Sequence, residues 1–146
     1  MDPTGLLYYK INNASVKLDT ILRKLLTRFS LTPSQFIFLS VLEKYQEATS
    51  KMIGLTLAVD PSTLTPLIKR LSKAGFIKKT TSSDKRSYLL AMSEKGKTAY
   101  QNALSVLSEF EDRLNNELSP DEKQLFDSTL LKIDRFIFKI QKQLLY

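Results

Sequence analysis

The stretch Asp60 to Gly96, DPSTLTPLIKRLSKAGFIKKTTSSDKRSYLLAMSEKG, decides how this chain folds. Asp60-Pro61 opens a helix. Proline pushes its predecessor out of helical geometry, and an aspartate placed there suits an N-cap. Leu64, Leu67, Ile68 and Leu71 then recur at i, i+3, i+4 and i+7, an apolar stripe made for burial. Gly75 stands where a helix end calls for a left-handed residue. After it the period changes. Phe76–Lys79 and Ser87–Met92 read as short strands, and the polar run Thr80–Arg86 between them reads as the turn of a hairpin with a basic tip.

The side of this helix away from the stripe carries Ser62, Thr63, Thr65, Pro66, Lys69, Arg70 and Lys73. Hydroxyls and a threonine methyl near the N-terminus can meet base edges or phosphates in a major groove. The cations further along suit phosphates. Amides at the helix start add donors for phosphate. A solvated surface helix would look similar, so the charge distribution matters. From Lys51 to Lys97 there are ten basic residues and three acidic ones, a net of +7; the rest of the chain has twelve of each. The whole excess sits in one third of the sequence, the footprint of a polyanion-binding site. At the hairpin tip lie Asp84, Lys85 and Arg86. An arginine there can enter a minor groove, with the carboxylate two residues away holding its guanidinium. The other reading of Asp84 and Arg86 is a surface ion pair worth ~0–1 kcal/mol. Pro66 lies about two turns into the helix and removes one donor, so a kink or a loosened start is expected.

Upstream of this stretch, Thr32-Pro33-Ser34-Gln35 is a capped helix start, followed by Phe36, Leu39, Val41 and Leu42 as its apolar side. A short helix from about Ser50 uses Ile53 and Leu57. Helix, short helix, turn, helix and hairpin over Thr32–Met92 make a winged helix-turn-helix. Upstream, Leu7, Ile11, Ala14, Leu18, Ile21, Leu22, Leu25 and Phe29 fall on one helical face, broken at Ser30 and Leu31. Downstream, a helix from Ser93 or Glu94 to about Leu118 carries Ala99, Ala103, Val106, Phe110 and Leu114. Ser119-Pro120-Asp121-Glu122 is a second capping box, and the last helix runs nearly to Tyr146.

That last helix has two apolar stripes. One is Phe126, Leu130, Ile133, Ile137, Ile140 and Leu144; the other is Leu131, Phe138 and Leu145, with Phe136 beside them. One stripe can bury against its own subunit, and the second needs another partner. A homodimer is therefore expected, with Leu7, Ile11, Leu131, Phe136, Ile137, Phe138, Ile140, Leu144 and Leu145 at the contact. The alternative is a helix wholly buried within one subunit. The fold class is mainly α with a small β-hairpin wing. Residues 32–93 form the DNA-binding part; residues 1–31 and 94–146 form the helical dimerisation part.

The 146 residues contain neither cysteine nor histidine, which removes disulfides, thiol chemistry and the usual metal ligands. No cluster of carboxylates or lysines suggests an enzyme, and no cofactor or metal is expected. No apolar run approaches the ~18 residues a membrane span needs. The first ten residues lack a signal-peptide pattern, so a cytoplasmic protein without a membrane partner is expected.

The chain resembles MarR-type transcriptional regulators. The resemblance rests on the helix ending Leu-x-x-x-Gly, on the Asp-x-Arg wing at Asp84 and Arg86, and on Ser-Glu-Lys-Gly at Ser93–Gly96. It extends over nearly the whole chain. Thr63-Leu64-Thr65-Pro66-Leu67 is similar to the OhrR and SarZ branch, which accounts for Pro66. That branch senses organic peroxides through a first-helix cysteine, absent here. Lys78 stands where the family usually has arginine, and Ser93 where it has threonine. The resemblance implies that Arg86 is the minor-groove residue with Asp84 its anchor. It further implies that Ser62, Thr63, Thr65 and Lys69 read the major groove, that Arg70 lies near the backbone, and that the dimer binds duplex DNA as a regulator, most simply a repressor. A small-molecule effector of unknown identity is a further family feature. Tyr8, Tyr9 and Phe38 are candidates to line its cleft, although core packing is the expected role of each. The competing reading is a winged-helix module for protein or RNA. It would need exposed stacking aromatics, and the basic segment offers only Phe76 and Tyr88, both read as strand residues.

Overall fold

The computed structural model describes residues 2–81 and 88–144. A 3-10 turn (Pro3–Gly5) precedes α1 (Leu7–Thr27), α2 (Pro33–Tyr45), β1 (Glu47–Ala48), α3 (Ser50–Leu57) and α4 (Pro61–Lys73). Then come β2 (Ile77–Thr81), β3 (Tyr88–Met92), α5 (Glu94–Asn116) and α6 (Pro120–Leu144). The expected class, mainly α with a small β wing, is the one adopted. The chain divides into two compact units, Met1–Leu107 and Ser108–Tyr146.

The first unit is built on one core. Phe38, Leu39 and Leu42 of α2 meet Ile53 of α3, the α4 stripe Leu64, Ile68 and Leu71, and Leu90 of β3; Tyr100 and Ala103 of α5 close it. Thr32 caps α2 as expected: its Oγ1 accepts from the Gln35 amide at 3.3 Å, and its own amide donates to the Gln35 Oε1 at 2.9 Å. The expected α1 face needs correction. Within α1 the buried side chain is Leu26, which lies outside the stripe, while Leu7, Ile11, Leu18 and Ile21 are exposed. Leu31, read as a break, is buried too. The turn at Ser30 folds the Leu31 amide back to the Leu26 carbonyl at 3.4 Å and brings both leucines into the core.

The sheet is antiparallel in the order β1-β3-β2. Its hairpin register runs from Ile77↔Met92 to Thr81↔Tyr88. Thr80 and Thr81, read as turn, are therefore ladder residues, and Phe76 lies just before the strand. β1 was not expected. It contributes two residues, Glu47↔Ala91 and Ala48↔Leu90, too few to show a period.

Among the described residues four positions adopt a positive φ: Ser30 (58°), Gln46 (63°), Ala58 (52°) and Gly75 (74°). Only Gly75 escapes the Cβ penalty of ~1–2 kcal/mol. Ala58 ends α3, with its amide on Leu55 O and the Val59 amide on Gly54 O. Ala58→Gly is expected to stabilise the fold by about 0.5–1 kcal/mol, the steric relief outweighing the added unfolded-state entropy. A thermal melt would show a midpoint raised by roughly 2–4 °C; a lowered midpoint would contradict it.

In the second unit, Ser119 and Glu122 form the expected capping box. The Glu122 carboxylate accepts from the Ser119 amide at 2.8 Å, and the Glu122 amide donates to Ser119 Oγ at 3.3 Å. The Ser119 amide holds the Glu122 carboxyl below its ordinary value. No side chain described in α6 is buried. Of the first stripe Ile133 and Ile140 are half-buried, while Phe126, Leu130 and Ile137 are exposed. Leu131, Phe136 and Phe138 are exposed as well. The reading that one stripe can bury against its own subunit finds no buried side chain among those described in α6. Leu145 lies outside the described residues.

Candidate nucleic-acid interface

The helix-turn-helix begins with α3, whose Thr49 cap accepts from the Met52 amide at 3.2 Å. The turn into α4 is tight because Gly54 lets it close. A Cβ on Gly54 would lie 3.3 Å from the Val59 carbonyl and 3.5 Å from Leu64 Cδ2. Asp60 then takes the N-cap position with extended backbone, yet its carboxylate makes no capping bond. The expected side-chain cap is therefore absent. The Asp60 carbonyl closes the first turn instead, accepting from Thr63 and Leu64 at 3.0 Å each.

α4 buries Leu64, Ile68 and Leu71 and leaves Ser62, Thr63, Thr65, Pro66, Lys69, Arg70 and Lys73 exposed. All seven residues read as the free polar face thus share it. Thr65 Oγ1 donates to the Pro61 carbonyl at 2.8 Å, which leaves both of its lone pairs free to accept. Pro66 does not break the helix, which runs unbroken from Pro61 to Lys73. The carbonyl it deprives is that of Ser62, in the exposed first turn, where a helix carbonyl is open to solvent and needs no donor from the chain. The expected loosening is not seen for that reason. Among the described residues the ion pairs are Arg23–Asp19 (2.6 Å) and Lys97–Glu94 (3.0 Å), and no carboxylate engages Lys69, Arg70 or Lys73. The Lys97 hydrogen bond holds the Glu94 carboxyl below its ordinary value.

The C-terminal end of α4 is fastened more elaborately than the sequence suggested. Gly75 donates to Ser72 O and Phe76 to Leu71 O, both at 3.0 Å, a complete Schellman closure with Phe76 buried beneath it. Ser93 then bridges this turn to α5. Its amide donates to the Phe76 carbonyl at 3.0 Å, its Oγ donates to the Gly75 carbonyl at 2.6 Å, and that Oγ accepts from the Gly96 amide at 3.0 Å. Lys95 Nζ donates to the Ala74 carbonyl at 2.6 Å and lies 5.0 Å from the Phe76 ring centroid. A Cβ on Gly96 would sit 2.0 Å from the Phe76 carbonyl oxygen. In the sequence Lys95 and Gly96 read only as part of the basic segment and of the Ser93–Gly96 motif. A glycine in the first turn of a helix was the signal that its backbone meets another backbone.

At the wing base, Lys79 Nζ lies 4.3 Å from the Tyr88 ring centroid, and Thr80 Oγ1 donates to Glu47 Oε1 at 3.1 Å. Tyr88 is an exposed aromatic; Phe76 is not. Asp84, Lys85 and Arg86 lie outside the described residues. Of the three aromatics considered for an effector cleft, Phe38 is a fully buried core residue. Tyr8 and Tyr9 are 77% and 43% exposed, so the core role expected for them is corrected. No group of three or more metal-ligating side chains is found among the described residues. No described helix is long and apolar enough to cross a membrane.

Residues 20–103 match the family described as transcriptional regulator SarA/Rot. The chain belongs to the SarA/Rot family. This SarA/Rot chain is 32% identical over 85 residues to the organic hydroperoxide resistance transcriptional regulator of Bacillus subtilis, a match spanning 58% of each protein. It is 29% identical over 103 residues to the HTH-type transcriptional regulator SarZ of Staphylococcus aureus, covering 70% of this chain and 67% of SarZ. These bear out the OhrR and SarZ likeness read from residues 63–67. The SarA/Rot chain also shares its fold with solved MarR-type winged-helix regulators. One is the transcriptional repressor CouR bound to a 23-mer DNA duplex, with a TM-score of 0.81 at 26% identity, covering 92% of this chain and 99% of that one.

Proposed function

We propose that this SarA/Rot-family protein is a repressor that binds pseudo-palindromic duplex DNA as a homodimer. The observation that carries the reading is the outward face of α4, on which Lys69, Arg70 and Lys73 have no carboxylate partner among the described residues. Ser62, Thr63 and Thr65 meet base edges or phosphates, Pro66 packs beside them, and the three cations neutralise phosphates. Arg86 enters the minor groove, held by Asp84, with Lys85 adding charge. The CouR complex with duplex DNA supports both the DNA and the repressor assignments. Residues 32–93 do the reading. Residues 1–31 and 94–146 hold two subunits together through Leu7, Ile11, Leu131, Phe136, Ile137, Phe138, Ile140, Leu144 and Leu145. The protein works in the cytoplasm and performs no catalysis; a small-molecule effector belongs to this reading without a defined chemistry.

Selection of sites from random duplexes should yield two half-sites about one helical turn, ~34–36 Å, apart. Titration of the selected duplex should give a log affinity that falls linearly with log salt, by about 0.9 per neutralised phosphate. Absence of duplex binding at low salt, or tighter binding to single-stranded RNA in competition, would overturn the assignment.

A further inference from the structure

We propose that Lys95 is a positioning residue for the DNA-reading helix: it fastens the C-terminal end of α4 to the start of α5 and so sets the attitude at which the outward face of α4 is presented. The inference rests on the DNA-binding reading of α4. Lys95 is the second residue of α5, where a cation opposes the helix dipole and gains nothing from its own helix. Its surroundings explain it. The Cδ of its stem lies 3.9 Å from where a Cβ on Gly75 would be. Its ammonium donates at 2.6 Å to the carbonyl of Ala74, the C-cap of α4, and lies 5.0 Å from the centroid of the Phe76 ring. A cation at that end complements the α4 dipole and satisfies a terminal carbonyl. One side chain of α5 thus spans three consecutive residues of the α4–β2 turn. Ser93 holds the same turn as well, through the Gly75 carbonyl. Lys69, Arg70 and Lys73 lie in the last two turns before this fastening, so a shift in the end of α4 moves them relative to any bound duplex.

The residue is also exposed, so a direct phosphate contact is the competing role. Salt dependence separates the two. The experiment uses the full chain with Lys95→Met, which keeps the stem and removes the donor and charge, and Lys95→Arg, which keeps both. In Lys95→Met the Gly75 and Phe76 amides should exchange with solvent about fivefold faster, given a lost charge-assisted bond discounted for exposure. Affinity for the selected duplex should fall roughly three- to tenfold with an unchanged salt slope, and Lys95→Arg should restore both. A salt slope shallower by about 0.9 would place Lys95 on a phosphate and overturn the proposal. Unchanged amide exchange would overturn it, as would unchanged affinity. If the wild-type chain bound no duplex, the DNA reading would fail by itself, and amide exchange would still decide whether Lys95 holds the turn. Should Lys95→Met not fold, Lys95→Gln carries the same comparisons.

Discussion

Replacing Lys69, Arg70 and Lys73 together by alanine should lower affinity for the selected duplex by at least about a hundredfold at physiological salt and flatten the salt slope by roughly 2–3. The three side chains are exposed, and none is paired with a carboxylate among the described residues. They support no buried contact whose loss would unfold the chain. Their removal changes the α4 dipole interaction by only ~0.3–1 kcal/mol each at most, so the fold should persist. Each phosphate neutralised releases about 0.9 counterion, and that entropy supplies most of the affinity these groups confer. The loss should be similar for specific and random duplexes, because phosphates carry no sequence information. Thr63→Ala should act differently, weakening the selected site more than random DNA. Anisotropy titrations at several salt concentrations would test this. A triple variant with an unaltered slope would remove α4 from the interface.

Gly96→Ala is expected to cost about 3 kcal/mol or more. A Cβ at this position would lie 2.0 Å from the Phe76 carbonyl oxygen, 2.9 Å from its carbon and 3.2 Å from its Cα. All three are backbone atoms, so no rotamer change relieves the clash. Overpacking commonly costs ~1–3 kcal/mol where side chains can yield, and here they cannot. The backbone that must move carries the Phe76 carbonyl bond from the Ser93 amide and the Schellman closure of α4. A domain stable by only ~5–15 kcal/mol would lose much of its margin. Urea unfolding should show a lower midpoint with an unchanged slope. A midpoint within error of the wild type would show that α5 does not approach Phe76 this closely.

Much of this fold was legible because its sequence signals are local and repeated. The stripe at 64, 67, 68 and 71, the Thr32 and Ser119 boxes and Gly75 each state their structure within a few residues. The outward face of α4 followed from the same periodicity. What escaped notice was non-local or out of character. β1 is two residues long, and its existence depends on Ala91 and Leu90. Leu26 and Leu31 are buried because Ser30 adopts a conformation serine rarely prefers. The carboxylate of Asp60 sits at the N-cap position yet makes no capping bond, and the Thr63 amide goes to the Asp60 carbonyl. Lys95 was invisible as a fastening because its partner, the Ala74 carbonyl, is 21 residues away.

The bare flanks of α6 have a consequence for when the protein exists in its working form. A segment of fewer than 40 residues with none of the described side chains of its long helix buried cannot hold itself together on hydrophobic burial. Under the dimer reading, its order is borrowed from a second copy, and mass action then links folding to abundance. Dilution alone would loosen the terminal helix and dismantle the paired reading heads. A cell could therefore silence such a regulator by letting its level fall below the self-association threshold, without any signal molecule.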